Sequence, residues 1–343
     1  MRWINVLIIF STFFAYLSPF VNPVNFWQFS FFGLIFPWLL LGNLVFIIFW
    51  GLQKKKYFLL SFCCVLLGWG HVKSFVGLNF FGDSTTANPI VIASYNIHAL
   101  KGLYQGIKNK EIKKKNERDF VEFLKKEGTI HILCTQETSQ SSSKFIREHF
   151  DFPYHHQLKY KKTALFSKFP ILKTGEVSFG LNSNSCIWAD VQINQQTVRI
   201  YSIHLQSNQV SSTADKVMTE GDLRSKETLK DIKGMMGKYR FFTKRRAAQA
   251  QKVANHIALA PHPVIICGDL NDTPQSFSYH ILTKNLKDSF KEKGFGLGTT
   301  YAGNIPALRI DYILYDKKIK LHNLKILKEN FSDHYPVICQ ISL

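Results

Sequence analysis

Four strand-length apolar runs constrain the fold of this chain most, because each one ends directly in a short polar cluster. The runs are Ile90–Ala93, Ile130–Cys134, Val198–Tyr201 and Val264–Cys267. Continuous apolar runs of this length, rich in β-branched residues, are typical of strands buried on both faces. A carboxylate, amide or imidazole at the end of such a strand is held by a rigid sheet beside a loop, where catalytic groups are common.

Six polar clusters follow one another in the same part of the chain, most of them at the end of an apolar run. They are Ser94–His98, Gln136–Glu137, Ser202–His204, Gly268–Asp272, Arg309–Tyr312 and Ser332–Pro336. Together they supply amide, carboxylate and imidazole groups, which suggests one shared polar pocket at the strand ends. Hard oxygen donors next to imidazoles are the groups that a metal-dependent phosphoesterase needs.

The ordered set resembles the endonuclease/exonuclease/phosphatase superfamily, which includes DNase I-like nucleases, neutral sphingomyelinases and inositol-polyphosphate phosphatases. Gly-Asp-Leu-Asn at 268–271 followed by Ser-Asp-His-Tyr-Pro at 332–336 is the most specific pairing. Gly294–Tyr301 resembles the glycine-rich segment that many bacterial members carry there. The resemblance covers residues 89–343. It implies an α/β fold in which a two-sheet β-sandwich is flanked by helices, with the site at one rim.

The resemblance also implies roles for single residues. Glu137 would be the principal ligand of Mg²⁺, for which Mn²⁺ could substitute, and Asn96 and Asp333 would belong to the metal shell. Asp269 would orient or deprotonate the attacking water, and Asn271 would contact phosphate. Asp269 and Asn271 are two residues apart, so in an extended segment both would point to the same side.

The histidines of the set are assigned in the same way. His334 and Asp311 resemble the family's imidazole–carboxylate pair, and His204 resembles a second histidine that donates to phosphate in the DNase I and sphingomyelinase branches. A structural role for His204 is the alternative. His98 stands where abasic-site endonucleases commonly have Asp, and it could be a phosphate contact, a partner of metal-bound water or a near-surface histidine. His98 and His204 together argue against an abasic-site repair enzyme.

The first 80 residues have a different composition. Residues 3–20, 26–50 and 57–78 are apolar, rich in aromatics and almost free of charge, and about 20 such residues are enough to cross a bilayer. A cleaved signal peptide would explain only the first stretch, and the core of a soluble domain is the other alternative. The sequence predicts a membrane region at 1–80 with three transmembrane helices, a linker at 81–88 and a catalytic domain at 89–343.

The loops between these stretches predict an orientation. Lys54–Lys56 separates the second stretch from the third, whereas Val21–Asn25 between the first two carries no charge. Because cytoplasmic loops concentrate Lys and Arg, the lysine loop and the N-terminus are predicted inside. With three spans, residues from about 80 onward then lie in the periplasm or outside the cell.

The charge balance fits a phosphate-bearing substrate. The chain has 43 Lys and Arg and 24 acidic residues, a net charge of +19. Residues 1–87 contain five of the basic and one of the acidic residues, so the remainder carries +15. Such a field attracts polyanions and anionic lipid alike. Six cysteines, three of them inside strand-like runs, indicate buried free thiols rather than a disulfide framework.

Helical spacing predicts amphipathic surface helices at Glu111–Glu127 and Arg245–Leu259. Ser207–Lys244 lies between the motifs as a long polar stretch rich in lysine. It is predicted to form a helix with an ordinary surface loop, and a lid or a membrane-facing loop is the alternative.

The sequence thus predicts a membrane-anchored, divalent-metal-dependent hydrolase of phosphoester bonds that acts by a single water attack on phosphorus. The substrate could be nucleic acid, a phospholipid or a soluble phosphoester, and no obligate protein partner is inferred. The alternatives are an endonuclease, a sphingomyelinase-like lipid phosphodiesterase and, from another class, a catalytically silent binding protein anchored in the membrane.

Overall fold

The computed structural model describes residues 1–79, 88–126, 128–180, 184–208, 225–303 and 307–343. Its strands, in chain order, are β1 (Gly77–Leu78), β2 (Ile90–Asn96), β3 (Ile132–Gln136), β4 (Tyr154–Gln157), β5 (Thr163–Ser167), β6 (Ile171–Val177), β7 (Ser185–Ile193), β8 (Gln196–His204), β9 (Val264–Asp269), β10 (Leu286–Asp288), β11 (Phe295–Gly296), β12 (Asp311–Asp316), β13 (Lys320–Ile326) and β14 (Val337–Ser342).

The α-helices are α1 (Arg2–Leu17), α2 (Pro23–Phe26), α3 (Gln28–Leu34), α4 (Phe36–Leu52), α5 (Phe58–Leu67), α6 (Trp69–Phe75), α7 (Lys101–Tyr104), α8 (Lys110–Lys125), α9 (Gln140–Phe150), α10 (Lys226–Ala258), α11 (Phe277–Thr283) and α12 (Ser289–Lys293). The chain divides into two compact units. The first consists of Met1–Val76, Gln206–Gln251 and Asn271–Leu282, and the second of Gly77–Leu205, Lys252–Leu270 and Thr283–Leu343.

Two six-stranded mixed sheets form the second unit. One has the strand order β10-β12-β9-β8-β7-β6, and the other has the order β13-β14-β2-β3-β5-β4. The two central strands of each sheet, β8 with β9 and β2 with β3, are parallel, and all other neighbours within these sheets are antiparallel. Parallel neighbours end at the same edge of a sheet, so each sheet brings two carboxyl ends together.

The sheets pack face to face around one apolar core, to which both contribute. The side chains that face this core become polar towards one rim. On β9, Cys267 lies in the core, and Asp269, two residues on, faces the same side. On β2, Ile92 lies in the core and Asn96 continues the same row four residues on. The rows of side chains that are apolar in the core therefore end in polar residues at this rim.

Helices cover the outer face of the sheet that contains β2. Phe120 and Leu124 of α8 and Ile146 of α9 are buried against that face, with Tyr95 among the residues below them. Amphipathic spacing forms these helices, and Asn109 and Ser139 cap their first turns with side-chain oxygens. This arrangement confirms the predicted α/β class with a helix-flanked, two-sheet sandwich. The helix predicted at 111–127 is α8.

The first unit contains the apolar N-terminal helices. Residues 2–20 form one helix long and apolar enough to cross a membrane, with a mean hydropathy of 1.6. The second stretch bends by 61° between α3 and α4, and the third bends by 72° between α5 and α6, so the described residues contain up to three spans if each bent pair counts as one. The third stretch is helical only as far as Phe75, because Gly77 and Leu78 pair with β11 as a strand of the second unit.

The helix predicted within the long polar insertion continues without a break into the next predicted helix. Together they form α10, which has 33 residues and contains all but the last residue of the helix expected at 245–259. Residues 226–251 of α10 belong to the first unit, together with the apolar helices. The preceding part of the insertion, 209–224, and most of the predicted linker, 81–87, lie outside the described residues.

Candidate active site

Strand register places three of the predicted site residues side by side. Asp269 of β9 pairs with His204 of β8 on one side and with Asp311 of β12 on the other. Residues paired across neighbouring strands point to the same face, so the imidazole and both carboxylates face the core side at the rim. All three are almost completely buried.

The other sheet faces this row with an amide. Asn96 at the end of β2 pairs with Gln136 at the end of β3. Nδ2 of Asn96 donates to Oδ2 of Asp269 at 3.1 Å, and its Oδ1 accepts from the backbone N–H of His98, also at 3.1 Å. Asn96 therefore joins the two sheets and fixes one carboxylate oxygen of Asp269.

Glu137 follows β3 in the left-handed region, with φ 53°. A non-glycine residue adopts this conformation rarely, so it indicates a position that the surrounding structure enforces. The Glu137 side chain is one-third exposed, and its Oε1 lies 4.0 Å from Nε2 of His204. Among the residues that the structure describes, the Glu137 carboxylate has no hydrogen-bond donor.

His334 completes the site from the loop between β13 and β14. Its Nδ1 donates to Oδ2 of Asp311 at 2.8 Å, and its Nε2 lies 3.8 Å from Oδ2 of Asp269. Burial by itself would lower the pKa of His334, but the Asp311 and Asp269 carboxylates and the hydrogen bond to Asp311 raise this pKa to about 10. His334 is therefore an imidazolium at neutral pH.

His204 is buried and has unused hydrogen-bonding capacity. Neither of its ring nitrogens has a hydrogen-bond partner among the described residues. Its Nε2 lies 3.7 Å from Oδ2 of Asp269. A buried polar group without a partner is costly unless a ligand or water satisfies it, so His204 is available to a bound substrate.

A segment of the glycine-rich stretch holds Asp311 and His334 together. The Thr300 hydroxyl accepts from the backbone N–H groups of Ile310 and Asp311, both at 3.0 Å. Its backbone carbonyl accepts from the N–H of Tyr335 at 2.7 Å. The side chain of Thr300 therefore fixes the backbone of the Asp311 segment, and its main chain fixes the segment that carries His334.

Asp333 points to a different set of groups from its neighbour His334. Its Oδ1 lies 3.2 Å from Nδ1 of His98, and Nε2 of His98 lies 3.0 Å from Nζ of Lys101. Burial of the Asp333 carboxyl would raise its pKa, but the hydrogen bond from His98 and the charge of His334 lower it to about 2. The hydrogen bond to Asp333 is also the main reason that the pKa of His98 is raised.

The turn that carries His98 is left-handed. His98, Ala99 and Leu100 have φ values of 43°, 52° and 58°. Three successive non-glycine residues in this region are unusual, because each places its Cβ close to a carbonyl oxygen. The N–H of Ala99 donates to the carbonyl of Glu137 at 2.9 Å. The turn therefore joins the ends of β2 and β3 beside the site.

The structure thus brings most of the predicted site residues together within the second unit. They are Asn96, Glu137, His204, Asp269, Asp311, Asp333 and His334. Asn271 belongs to the first unit, and its φ of 50° shows that the chain turns there. The extended geometry expected for 269–271, with both side chains on one side, is therefore wrong at Asn271. The prediction that Asn271 contacts phosphate remains a prediction.

Sequence reasoning gave no role to two residues of this site. Gln136 is fully buried, and its Oε1 has no hydrogen-bond partner among the described residues. Thr300 bonds to the segment of Asp311 and to the segment of His334. The position of Gln136, at the end of a core-facing row, could have indicated it. Nothing in the sequence marks Thr300, because its bonds join segments that meet only in the folded chain.

Comparison with known families identifies the fold. A family model described as the endonuclease/exonuclease/phosphatase family matches residues 93–334, which include every residue of the site. The chain belongs to this family. Its members are typically hydrolases that act on phosphoesters and generally use a divalent metal. A second model, described only as a domain of unknown function, matches residues 1–75. No curated protein matches the chain.

Solved structures confirm the DNase I-like fold. An endonuclease/exonuclease/phosphatase from Bacteroides vulgatus is 16% identical, with a TM-score of 0.53, and the match covers 75% of this chain and 99% of that one. TDP2 of D. rerio, solved with a single-strand DNA product, is 15% identical, with a TM-score of 0.53 and coverage of 75% and 100%. A mannosyl-6-phosphatase from Bacteroides thetaiotaomicron is 16% identical, with a TM-score of 0.50 and coverage of 74% and 100%.

The residues of the site fit a divalent metal. Glu137 offers a carboxylate that no described donor occupies. Among the described residues Oδ1 of Asn96 accepts a single hydrogen bond, which leaves it a lone pair for a metal. Hard oxygen donors of this kind suit Mg²⁺ and Mn²⁺. Asp269, Asp311 and His334 also offer ligand atoms within 4.8 Å of one another. Nδ1 of His334 is already bonded to Asp311, however, so these three form an acid–base group better than an ion site.

Proposed function

We propose that this chain is a divalent-metal-dependent phosphoester hydrolase that uses Glu137 and Asn96 as metal ligands, with Asp333 in the metal shell. The observation that supports it best is the row of His204, Asp269 and Asp311 facing the amide of Asn96 across the rim. When bound, Mg²⁺ or Mn²⁺ would neutralise negative charge on the phosphoryl group and polarise the phosphorus–oxygen bond.

The chain's own side chains would activate the water, stabilise the developing charge and contact the phosphate. Asp269 receives a hydrogen bond from Asn96 and lies within 3.8 Å of two imidazole nitrogens, so its carboxylate is held where it can orient and deprotonate the attacking water. His334, charged and held by Asp311, presents Nε2–H to the developing charge on the phosphoryl or leaving oxygen. His204 donates to a phosphate oxygen with a nitrogen that no described residue satisfies.

The test is metal-dependent hydrolysis by the full chain in detergent. Removal of metal with EDTA should abolish hydrolysis of a generic phosphodiester, and Mg²⁺ or Mn²⁺ should restore it. Glu137→Gln should lower kcat by about 10²–10⁴ at saturating metal. Glu122→Gln, on the exposed side of α8, is the matched control and should leave kcat unchanged. Turnover that persists in EDTA, or full activity in Glu137→Gln, would refute the proposal.

The apolar helices support membrane insertion with the lysine loop inside. The guanidinium of Arg2 lies 4.9 Å from the ring centroid of Tyr57, which follows Lys54–Lys56, so the cations gather at the N-terminal end of α1. At the other end of α1, Phe14 packs against Phe29 and Phe32 of α3. The two ends are about 24 Å apart, close to the thickness of a hydrocarbon core. Protease treatment of intact spheroplasts should cleave the catalytic unit, and its full protection would reverse this topology.

Among substrates, one observation favours a phosphoester at a membrane surface. Asn271–Leu282, which begins at the last residue of the Gly-Asp-Leu-Asn motif, belongs to the same unit as the apolar helices. Within that unit Oε1 of Gln275 lies 2.9 Å from Nδ1 of His71, and His280 packs edge-on against Phe20. The association of this segment with the apolar helices would favour hydrolysis of a lipid headgroup, because attachment to the membrane raises the local concentration of the site at one leaflet. Parallel digests of sphingomyelin vesicles, plasmid DNA and RNA distinguish this substrate class from the nuclease alternative.

A further inference from the structure

The exposed face of α10 in the first unit carries a straight row of cations. The row consists of Lys226, Lys230, Lys233, Arg240 and Lys244. Their spacings of four, three, seven and four residues keep them on one face of a helix with 3.6 residues per turn. The first four are exposed and Lys244 is half-buried. We call these five residues the cationic stripe.

The opposite face of the same helix is fixed to the apolar helices. Tyr239 is buried, and its hydroxyl donates to the backbone carbonyl of Ser30 at 2.8 Å. Its ring lies edge-on against Phe31, at 6.3 Å between centroids. Nearly two turns further on, Arg246 is fully buried and bonds to Asp272 at 2.8 Å. The helix cannot turn its stripe inward without breaking these contacts.

The surroundings of the stripe are positive and partly apolar. Residues 226–245 contain seven Lys and Arg but only Glu227 and Asp231 as acids. In the part of the chain that the structure describes, no salt bridge joins a cation of the stripe to an acid. Leu229 and Phe241 flank the stripe with more than half of each side chain exposed. Cations flanked by exposed apolar side chains are typical of helices that lie on an anionic membrane surface.

We propose that residues 226–245 lie along the membrane surface and bind anionic phospholipid headgroups through the cationic stripe. The inference rests on the proposed membrane insertion of the apolar helices. Ser30 and Phe31 belong to α3, which packs at the end of α1 away from Arg2, where the interface with the headgroups would lie. Nucleic acid would also be attracted by the charge, but it gives no reason for Leu229 to be exposed beside it or for the helix to be attached to apolar helices.

Hydrogen exchange of the full chain in nanodiscs tests the inference. Nanodiscs of phosphatidylcholine alone are compared with nanodiscs that contain a quarter phosphatidylglycerol. The anionic lipid should slow exchange of amides in 226–245 about tenfold at low salt, because each cation near such a surface favours binding by about fivefold. High salt should remove most of this protection, because it screens exposed charges.

Two triple variants provide matched controls. Lys230→Glu/Lys233→Glu/Arg240→Glu should abolish the protection by anionic lipid, and Lys110→Glu/Lys115→Glu/Lys126→Glu, which changes the same charge at exposed positions of α8 and its end, should retain it. The milder Lys230→Gln/Lys233→Gln/Arg240→Gln should reduce it. If the chain stays in neutral nanodiscs but shows no effect of anionic lipid, the proposed binding of lipid by the cationic stripe is refuted and the proposed membrane insertion is not. A chain that leaves the nanodiscs would refute both. Protection by a DNA duplex and not by anionic lipid would assign the stripe to nucleic acid.

Discussion

The two units differ in the kinds of residue that they expose. In the second unit the centre of the sandwich is apolar, and charged groups occur at its rim. In the first unit Asn5 and Asn43 are almost fully buried, whereas Trp3 and Leu7 are 83% and 66% exposed. The second unit has the pattern of a protein that folds in water, and the apolar helices of the first unit have a pattern that fits the proposed insertion into a bilayer.

The buried polar groups of the two units also have different partners. Among the apolar helices of the first unit, Nδ2 of Asn5 donates to Ser61 at 2.7 Å and Nδ2 of Asn43 donates to Thr12 at 2.9 Å, so neutral groups join these helices to one another. In the second unit carboxylates and imidazoles face each other at the rim, as at Asp311 and His334. Buried polar groups therefore serve helix association in one unit and chemistry in the other. Substitutions should separate these two roles by their effects on stability and on activity.

The largest effect is expected at Asp269. Asp269→Asn retains the shape and an oxygen that can accept from Asn96, but it removes the group proposed to take a proton from water. We expect kcat to fall by about 10²–10⁴ while the midpoint of thermal unfolding changes little. Asp119→Asn on α8 is the matched control. A loss of activity that follows a loss of stability would mean that Asp269 acts only in folding.

The next effect concerns pH. The pKa of His334 is raised to about 10, so an activity that needs its imidazolium should fall only as pH rises through about 10. Asp311→Asn removes a charge that raises this pKa. The alkaline limb of the kcat profile should therefore move to lower pH, and kcat should fall by about 10²–10⁴. An alkaline limb that stays in place would assign it to another group.

The same pKa makes a prediction about stability. Because the folded-state pKa of His334 lies above its unfolded value of about 6.5, the stabilisation from its charge is complete below that pH and is lost as pH rises to about 10. Urea unfolding of the wild type between pH 6 and 10 measures this loss, and Asp311→Asn should show less of it.

A smaller effect is expected at Thr300. Thr300→Val leaves the buried N–H groups of Ile310 and Asp311 without an acceptor, which should lower the free energy of unfolding by about 2–3 kcal/mol. Activity should fall as well, because the Asp311 backbone is no longer held. Thr197→Val is the control and should cost less than about 1 kcal/mol, because the Thr197 hydroxyl bonds to half-exposed Gln192 and to no other residue in the described part of the chain. Equal losses of unfolding free energy in the two variants would contradict the proposed role of Thr300 in holding the Asp311 segment.

The smallest effect is expected in the first unit. Asn43→Leu removes its bond to Thr12, and hydrogen bonds between helices in a bilayer are worth about 0.6 kcal/mol on average. Thermal unfolding in detergent should change only slightly and kcat should stay the same. Leu44→Asn places an amide at a 43%-exposed position and should be the more damaging change if that surface faces lipid. The opposite ranking would mean that the first unit is not solvated by hydrocarbon.

Much of the second unit follows from local pattern. The runs before Asn96, Glu137, His204 and Asp269 were predicted as strands. Each is a strand, with Asn96, His204 and Asp269 as its last residue and Glu137 directly after its end. Helix α8 was predicted within two residues at each end. The bends of the second and third apolar stretches were not predicted, because hydropathy measures composition along the chain and contains no information about helix direction. The sequence predicted a helix within Ser207–Lys244 and another at 245–259, but it did not predict that they are continuous as α10.

The sequence by itself determined the class of fold, the order of the polar clusters and the types of side chain at the rim, because these depend on periods of two and 3.6 residues and on chemistry. Only the tertiary structure decided how the groups combine. The register that aligns His204, Asp269 and Asp311, the pairing of Asp333 with His98 rather than with His334, and the grouping of Asn271–Leu282 with the apolar helices all depend on contacts between distant parts of the chain. Such contacts follow from packing and hydrogen bonding in the folded molecule, and the local sequence pattern contains no information about them.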